Sequence, residues 1–184
     1  MSVRILALVG SLRAGSHNRQ FAEAAAKHAP AGVEIALFEG LADIPYYNED
    51  LDVEGSVPAA ATALRAATAG ADALLLFSPE YNGTMPAVLK NAIDWLSRPY
   101  GAAAIQGKPV ATVGTALGQY GGARAQDDIR KSVRIAGGHV LEGATLAVPG
   151  SVNRFATTHP ADDAEVVEGL AAVFERIVQA GSAA

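Results

Sequence analysis

Val3-Arg4-Ile5-Leu6-Ala7-Leu8-Val9 runs directly into Gly10-Ser11-Leu12-Arg13-Ala14-Gly15-Ser16-His17-Asn18-Arg19. The first seven residues are nearly continuous in apolar character. That is the signature of a strand covered on both faces, as in a parallel sheet. The small and polar residues that follow form a turn, and the Ala-rich stretch after it has helical spacing. The same unit recurs along the chain. Strands are expected at 3–9, 33–38, 73–77, 109–113 and 139–148, and helices at 17–29, 57–69, 87–96, 122–135 and 161–180. Five strand–helix units with right-handed crossovers make a three-layer α/β sandwich around a five-stranded parallel sheet. No break in composition divides the chain, so residues 1–184 are read as one domain.

The punctuation agrees. Pro86 falls at the start of the third helix, where a missing N–H costs little. Gly70 is placed at the end of the second helix and Gly137-Gly138 at the end of the fourth. Residues 40–55 show no periodicity and are expected to be an extended surface loop. The only low-complexity stretch is the tail at 181–184.

Composition narrows the function. Half of the residues are hydrophobic, only 18% are charged and the net charge is −5. A general nucleic-acid binder would present a basic face, so none is expected. No apolar run approaches the roughly 20 residues that cross a bilayer. The chain opens on a strand pattern without a small-residue cleavage site, so no signal peptide and a cytoplasmic setting are expected. The absence of cysteine excludes disulfides, thiol nucleophiles and iron–sulfur clusters. The four histidines (His17, His28, His139, His159) lack i, i+4 pairing and nearby carboxylates in metal-ligand spacing, so no metal site is expected. No G-x-S-x-G elbow occurs.

In a doubly wound sheet, ligands bind beyond the carboxyl ends of the strands. The loops to read are therefore those after the first, third and fourth strands. The first ends at a helix N-terminus, where backbone N–H groups and the helix dipole favour an anion. Ser11, Ser16 and Asn18 can donate to phosphate oxygens there, and Arg13 can add a charge-assisted fork. The loop lacks the Lys-Ser/Thr of a P-loop and the G-x-G-x-x-G dinucleotide pattern, so a monophosphate fits best. An ordinary polar turn with a Ser or Asn cap is the alternative. The third loop is Ser78-Pro79-Glu80-Tyr81-Asn82-Gly83-Thr84-Met85-Pro86. Its prolines stiffen the turn, Tyr81 and Asn82 offer stacking area and polar edges, and Gly83 would let a flat ring approach. A capped turn with a buried aromatic is the alternative. The fourth loop, residues 114–124, exposes backbone N–H groups through its four glycines.

Three blocks together resemble the NADPH-dependent FMN reductase family of flavodoxin-like fold, which includes bacterial chromate, quinone and azo-dye reductases. They are Gly10-Ser11-Leu12-Arg13 with Ser16-His17-Asn18; Ser78-Pro79-Glu80-Tyr81-Asn82-Gly83 with Leu89-Lys90-Asn91-Ala92-Ile93-Asp94-Trp95-Leu96-Ser97-Arg98; and Gly107-Lys108-Pro109 with Gly121-Gly122-Ala123-Arg124. The resemblance spans residues 3–150. It implies strand order 2-1-3-4-5 and FMN, with hydride passing from NAD(P)H to the flavin and on to a small-molecule acceptor. It also implies that Ser11, Arg13, Ser16 and Asn18 hold the phosphate. Pro79, Glu80, Tyr81, Asn82 and Gly83 would line the ring, and Thr115, Ala116 and Gly118 would meet its pyrimidine edge or the ribityl chain. Relatives often carry serines where this chain has Thr115-Ala116, and His17 is assigned no role.

Because the cofactor carries the chemistry, no catalytic side chain is expected. Two other functions remain: a flavin reductase that treats FMN as substrate for a partner monooxygenase, and a non-catalytic electron carrier. The third helix carries Leu89, Ile93, Trp95 and Leu96, more apolar surface than one buried face requires. Together with the resemblance this predicts a homodimer or homotetramer.

Overall fold

A computed structural model describes residues 2–181; residues 182–184 of the low-complexity tail lie outside them. Five parallel strands stand in the order β2-β1-β3-β4-β5. They are β1 (Val3–Val9), β2 (Val33–Leu37), β3 (Ala73–Phe77), β4 (Pro109–Thr115) and β5 (His139–Val148). The helices are α1 (His17–Lys27), α2 (Ala59–Gly70), α3 (Ala87–Leu96), α4 (Ala123–Ile135), the single turn α5 (Ser151–Arg154) and α6 (Ala164–Gly181). The flavodoxin-like expectation holds in strand order and in the parallel pairing of every neighbouring pair. Each strand and each helix but α5, which the periodicity does not predict, falls within about three residues of its expected place.

Strand periodicity divides the core. Ile5, Ala7 and Val9 of β1 pack with Phe21, Ala24 and Ala25 of α1 and with Leu170, Phe174 and Ile177 of α6. Leu6 and Leu8 face the other way, among Leu64 of α2, Leu89 and Trp95 of α3 and Ile129 of α4. Both faces of the central strands are buried, which is why those strands read as apolar runs and not as alternation. Parallel pairing of Ile5 with Ala73 through Val9 with Phe77 brings β1 and β3 to their carboxyl ends together.

Residues 40–55 are not an extended surface loop. They contain two 3-10 turns, Leu41–Asp43 and Glu49–Leu51, and bury Leu41 and Ile44. Side chains from α3 dock the segment. The Asn91 Oδ1 accepts from the Tyr47 N–H at 2.8 Å, and its Nδ2 donates to the carbonyls of Ile44 and Pro45 at 3.3 and 3.0 Å. The Trp95 indole N–H donates to the Pro45 carbonyl at 2.8 Å. Arg65 of α2 closes the arrangement with a two-pronged bond to Asp52 at 2.7 and 2.8 Å.

The same packing removes the sequence argument for assembly through α3. Leu89, Ile93, Trp95 and Leu96 are all at most 2% exposed within one chain. Their partners are the sheet, the neighbouring helices and the docked segment 40–55, which covers them.

Candidate functional site

The loops after β1, β3 and β4 converge at the carboxyl edge of the sheet. Ser11, Arg13, Ser16, His17, Asn18, Pro79, Glu80, Tyr81, Thr115, Ala116, Leu117 and Ser151 line one recess of about 200 Å³. A second of about 350 Å³ shares Glu80, Ala116 and Leu117 with it and extends past Gly118, Tyr120 and Arg124. Asn82 and Gly83 line neither.

Ser16 is the N-cap of α1, its Oγ accepting from the Arg19 N–H at 3.2 Å. The cap satisfies only one donor of the first turn. The N–H groups of His17 and Asn18 have no intrahelical partner and are left for a ligand. A capping Ser16 hydroxyl still has its own proton to donate, so the plain-turn alternative and the phosphate reading describe the same residue. Arg13 is exposed and makes no ion pair among the described residues.

Asn18 and Thr115 are committed elsewhere than the sequence suggests. Asn18 is 4% exposed; its Oδ1 accepts from the Thr115 N–H and its Nδ2 donates to the Thr115 carbonyl, each at 3.0 Å. One amide N–H of Asn18 remains for a ligand. The Thr115 hydroxyl donates to the Val148 carbonyl at 2.6 Å. Thr115 lines the recess, and its hydroxyl proton is engaged by Val148, which leaves the oxygen only as an acceptor. This clamp joins the loops after β1 and β4 at residues 97 positions apart.

The β3 strand ends in a closely held junction. A Cβ on Gly114 would collide with the Ser78 carbonyl oxygen, so glycine is required where β4 passes the start of the third loop. Beyond it, Tyr81 and Thr84 exchange both backbone hydrogen bonds at 3.1 Å. Between them Asn82 has φ 53° and Gly83 φ 80°. That is the Asn-Gly type I′ geometry. Gly83 is explained by its positive φ, because a Cβ there would meet nothing within 4 Å. Tyr81 is 49% exposed, so the alternative of a turn around a buried aromatic is wrong. The Thr84 hydroxyl, 2.5 Å from the Asp128 carboxylate, ties the hairpin to α4.

Glu80 stands between the two recesses. Its Oε2 is buried and has no hydrogen-bond partner among the described residues, and its Oε1 is 3.9 Å from the Arg124 Nη1. Arg124 lies over the Tyr120 ring at 4.9 Å. Tyr81, Leu117 (68% exposed) and Tyr120 (54% exposed) give the recesses an apolar rim. His17 packs its ring against Phe155, centroids 5.7 Å apart. Burial pushes its pKa below the ordinary value, and the Arg13 charge adds to this.

The sequence reading missed His17, Leu117, Tyr120, Arg124 and Ser151 as lining residues. His17 and Arg124 stand inside the quoted motifs but received no role. Ser151 follows Pro149-Gly150 after β5, another loop at the carboxyl edge, and that position was the available signal.

The arrangement suits a phosphorylated planar heterocycle. Hydroxyls, a guanidinium and helix N–H groups gather at one end. Exposed aromatic and aliphatic surface and a buried carboxylate oxygen in need of an N–H lie at the other.

Comparisons agree with this. The sequence model described as NADPH-dependent FMN reductase matches residues 3–153. A 2-hydroxy-1,4-benzoquinone reductase of Burkholderia sp is 44% identical over 130 residues, 71% of this chain and 69% of the relative. An NAD(P)H-dependent FMN reductase of Pseudomonas aeruginosa is 39% identical over 153 residues, 83% and 81% of the two chains. Among solved structures, the flavoenzyme NAD(P)H:(acceptor) oxidoreductase of Paracoccus denitrificans superposes with a TM-score of 0.80 at 28% identity, covering 96% of this chain and 98% of that one.

Proposed function

The chain belongs to the NADPH-dependent FMN reductase family, and from that premise we propose how its own residues hold the flavin and which acceptors it serves. It is an FMN-dependent NAD(P)H oxidoreductase. FMN, when bound, supplies the centre that takes hydride equivalents from the nicotinamide and returns electrons to an acceptor. What the chain must do is bind, orient and leave one approach open.

Ser11, Arg13, Ser16, the spare amide N–H of Asn18 and the first turn of α1 hold the 5′-phosphate. Arg13 provides the charge-assisted contact. Pro79, Glu80 and Tyr81 line the ring, with Asn82 and Gly83 setting the hairpin that presents them. Ala116 and Gly118 face the ring from the β4 loop, and Thr115 keeps that loop in register. The Glu80 Oε2 accepts from an N–H of the ligand, a donor that the pyrimidine edge of isoalloxazine carries. The observation that carries this reading is the meeting of three loops on one recess beside a buried acceptor without a partner.

Quinones are the proposed acceptors. The benzoquinone reductase of Burkholderia supports this, and so does the exposed aromatic rim, which suits a flat apolar substrate. Residues 1–184 act as one domain, in the cytoplasm, as a homodimer or homotetramer. Among the described residues no helix is long and apolar enough to cross a membrane. Support for assembly lies in the exposed Tyr100 and Ile135, which line a groove of about 860 Å³ beside the ends of α3 and α4.

Purification tests the function. The protein should carry yellow FMN that bleaches anaerobically with NADPH or NADH and recovers on adding a benzoquinone. A colourless protein that oxidises NADPH only in proportion to added free FMN would overturn the bound-cofactor reading in favour of FMN as a substrate. Light scattering at a mass near 18.8 kDa with full activity would overturn the oligomer.

A further inference from the structure

His17 is a half-buried imidazole with no hydrogen-bond partner among the described residues, in a recess whose other polar groups suit a phosphate. It occupies the first helical position after the Ser16 cap, so its ring starts from the turn that offers N–H groups to the anion. Phe155 backs the ring on the side of α5. We propose that His17 is a phosphate-responsive binding residue, taking up a proton as the flavin phosphate arrives, so that affinity for FMN, but not for riboflavin, falls as pH rises.

The charges around it set the sign. Arg13 faces it from the loop after β1, and Glu80 and Tyr81 line the same recess from the loop after β3. On the α5 side, Arg154 lies over the Phe155 ring at 5.8 Å and is held by Asp163 and Glu165. In the free protein, burial and Arg13 both disfavour the imidazolium, which favours the neutral ring. A phosphate with a charge of about −1.5 to −2 offsets Arg13 and favours the protonated ring. Between the lowered pKa of the free state and the raised pKa of the complex, each FMN bound draws a proton from solvent. Binding is tighter at the acid side of that window and weaker above it.

The inference rests on the FMN reading, and its test separates the two. Dissociation constants for FMN and riboflavin, measured by flavin fluorescence, are compared from about pH 6.5 to about pH 8.5 in the wild type, His17→Phe and His17→Gln. This range stays above the phosphate's own second pKa near 6. Wild-type affinity for FMN should weaken about tenfold across it, the linkage of a rise of about two units that carries the imidazole pKa from below this range to inside it. Both variants should stay within about twofold, and riboflavin should show no slope with any of the three proteins. Histidine NMR should show the His17 pKa rising when FMN is added. Parallel FMN profiles in wild type and variants, or an equal slope with riboflavin, would overturn the role of His17 while leaving the flavin site standing. A wild type that binds no FMN at any pH would overturn both readings.

Discussion

The two halves of the segment from Ser78 to Leu96 treat their polar atoms in opposite ways. In α3, the Asn91 amide bonds to Tyr47, Ile44 and Pro45, the Trp95 indole N–H to Pro45, and the Trp95 carbonyl to the Arg65 Nε. In the loop just before it, Glu80 buries an oxygen that has no partner among the described residues, and across the recess Arg13 and the His17 ring have no hydrogen-bond partner among them either. Burial of an unpaired polar atom costs roughly 1–3 kcal/mol. On the proposed reading, a fold that satisfies one region and leaves its neighbour open has built the first for stability and the second for a ligand. Both belong to the same recognisable motif, so a motif residue is not thereby a binding residue.

The sharpest way to break this division is at Trp95. Trp95→Ala should cost about 3–5 kcal/mol, as for other fully buried aromatics, with loss of the docked segment 40–55 and a fall in Tm on the order of 10 °C. Urea denaturation gives the value. A loss below about 1 kcal/mol would mean that the clamp is not a stability element.

Next in size is Arg13→Ala, which should weaken FMN binding about tenfold to a hundredfold, the loss of a charge-assisted contact of roughly 1.5–3 kcal/mol, while Tm stays within about 2 °C. Equilibrium titration and thermal melting of the same preparation would show the two effects apart. An unchanged dissociation constant would remove the first loop from the site.

The Asp52–Arg65 pair tests the saturated side by pH. Its hydrogen bond to Arg65 holds the Asp52 carboxyl below the ordinary range, and the Arg154 bond does the same for Asp163. A carboxyl depressed in the folded state contributes stability that is complete above its unfolded pKa of about 4 and is lost as pH falls through the lower folded value. Asp52→Asn should therefore destabilise by about 2 kcal/mol at neutral pH and by much less at about pH 2. A constant difference across that range would contradict the linkage.

Gly83→Ala is the smallest change. The left-handed φ should cost about 1 kcal/mol, with FMN affinity altered less than threefold, since a Cβ there points into open space. A large loss of FMN at unchanged stability would restore Gly83 as a point of close approach to the ring.

The fold was legible because the strands are covered on both faces, and continuous apolar runs such as Leu74-Leu75-Leu76-Phe77 have few other uses. The convergence of three loops followed from topology once the strand order was set. What escaped reading depends on contacts distant in sequence. Segment 40–55 has no pattern of its own, and its order comes from Asn91 and Trp95 over 40 residues later. Asn18 has the chemistry of a phosphate ligand, yet most of its amide serves Thr115 across the sheet edge. Leu89 and Ile93 looked like surplus apolar area because the segment that covers them was not recognised as a cover.

On the proposed reading, the open polar groups form a flavin monophosphate site with separate ends for phosphate and ring. Titrating flavin-free wild-type protein with FMN, riboflavin and inorganic phosphate tests it most directly. The expected result is one FMN per chain, riboflavin weaker by at least about tenfold, and inorganic phosphate that competes with FMN but not with riboflavin. Equal affinity for the two flavins, with no effect of phosphate on either, would contradict it.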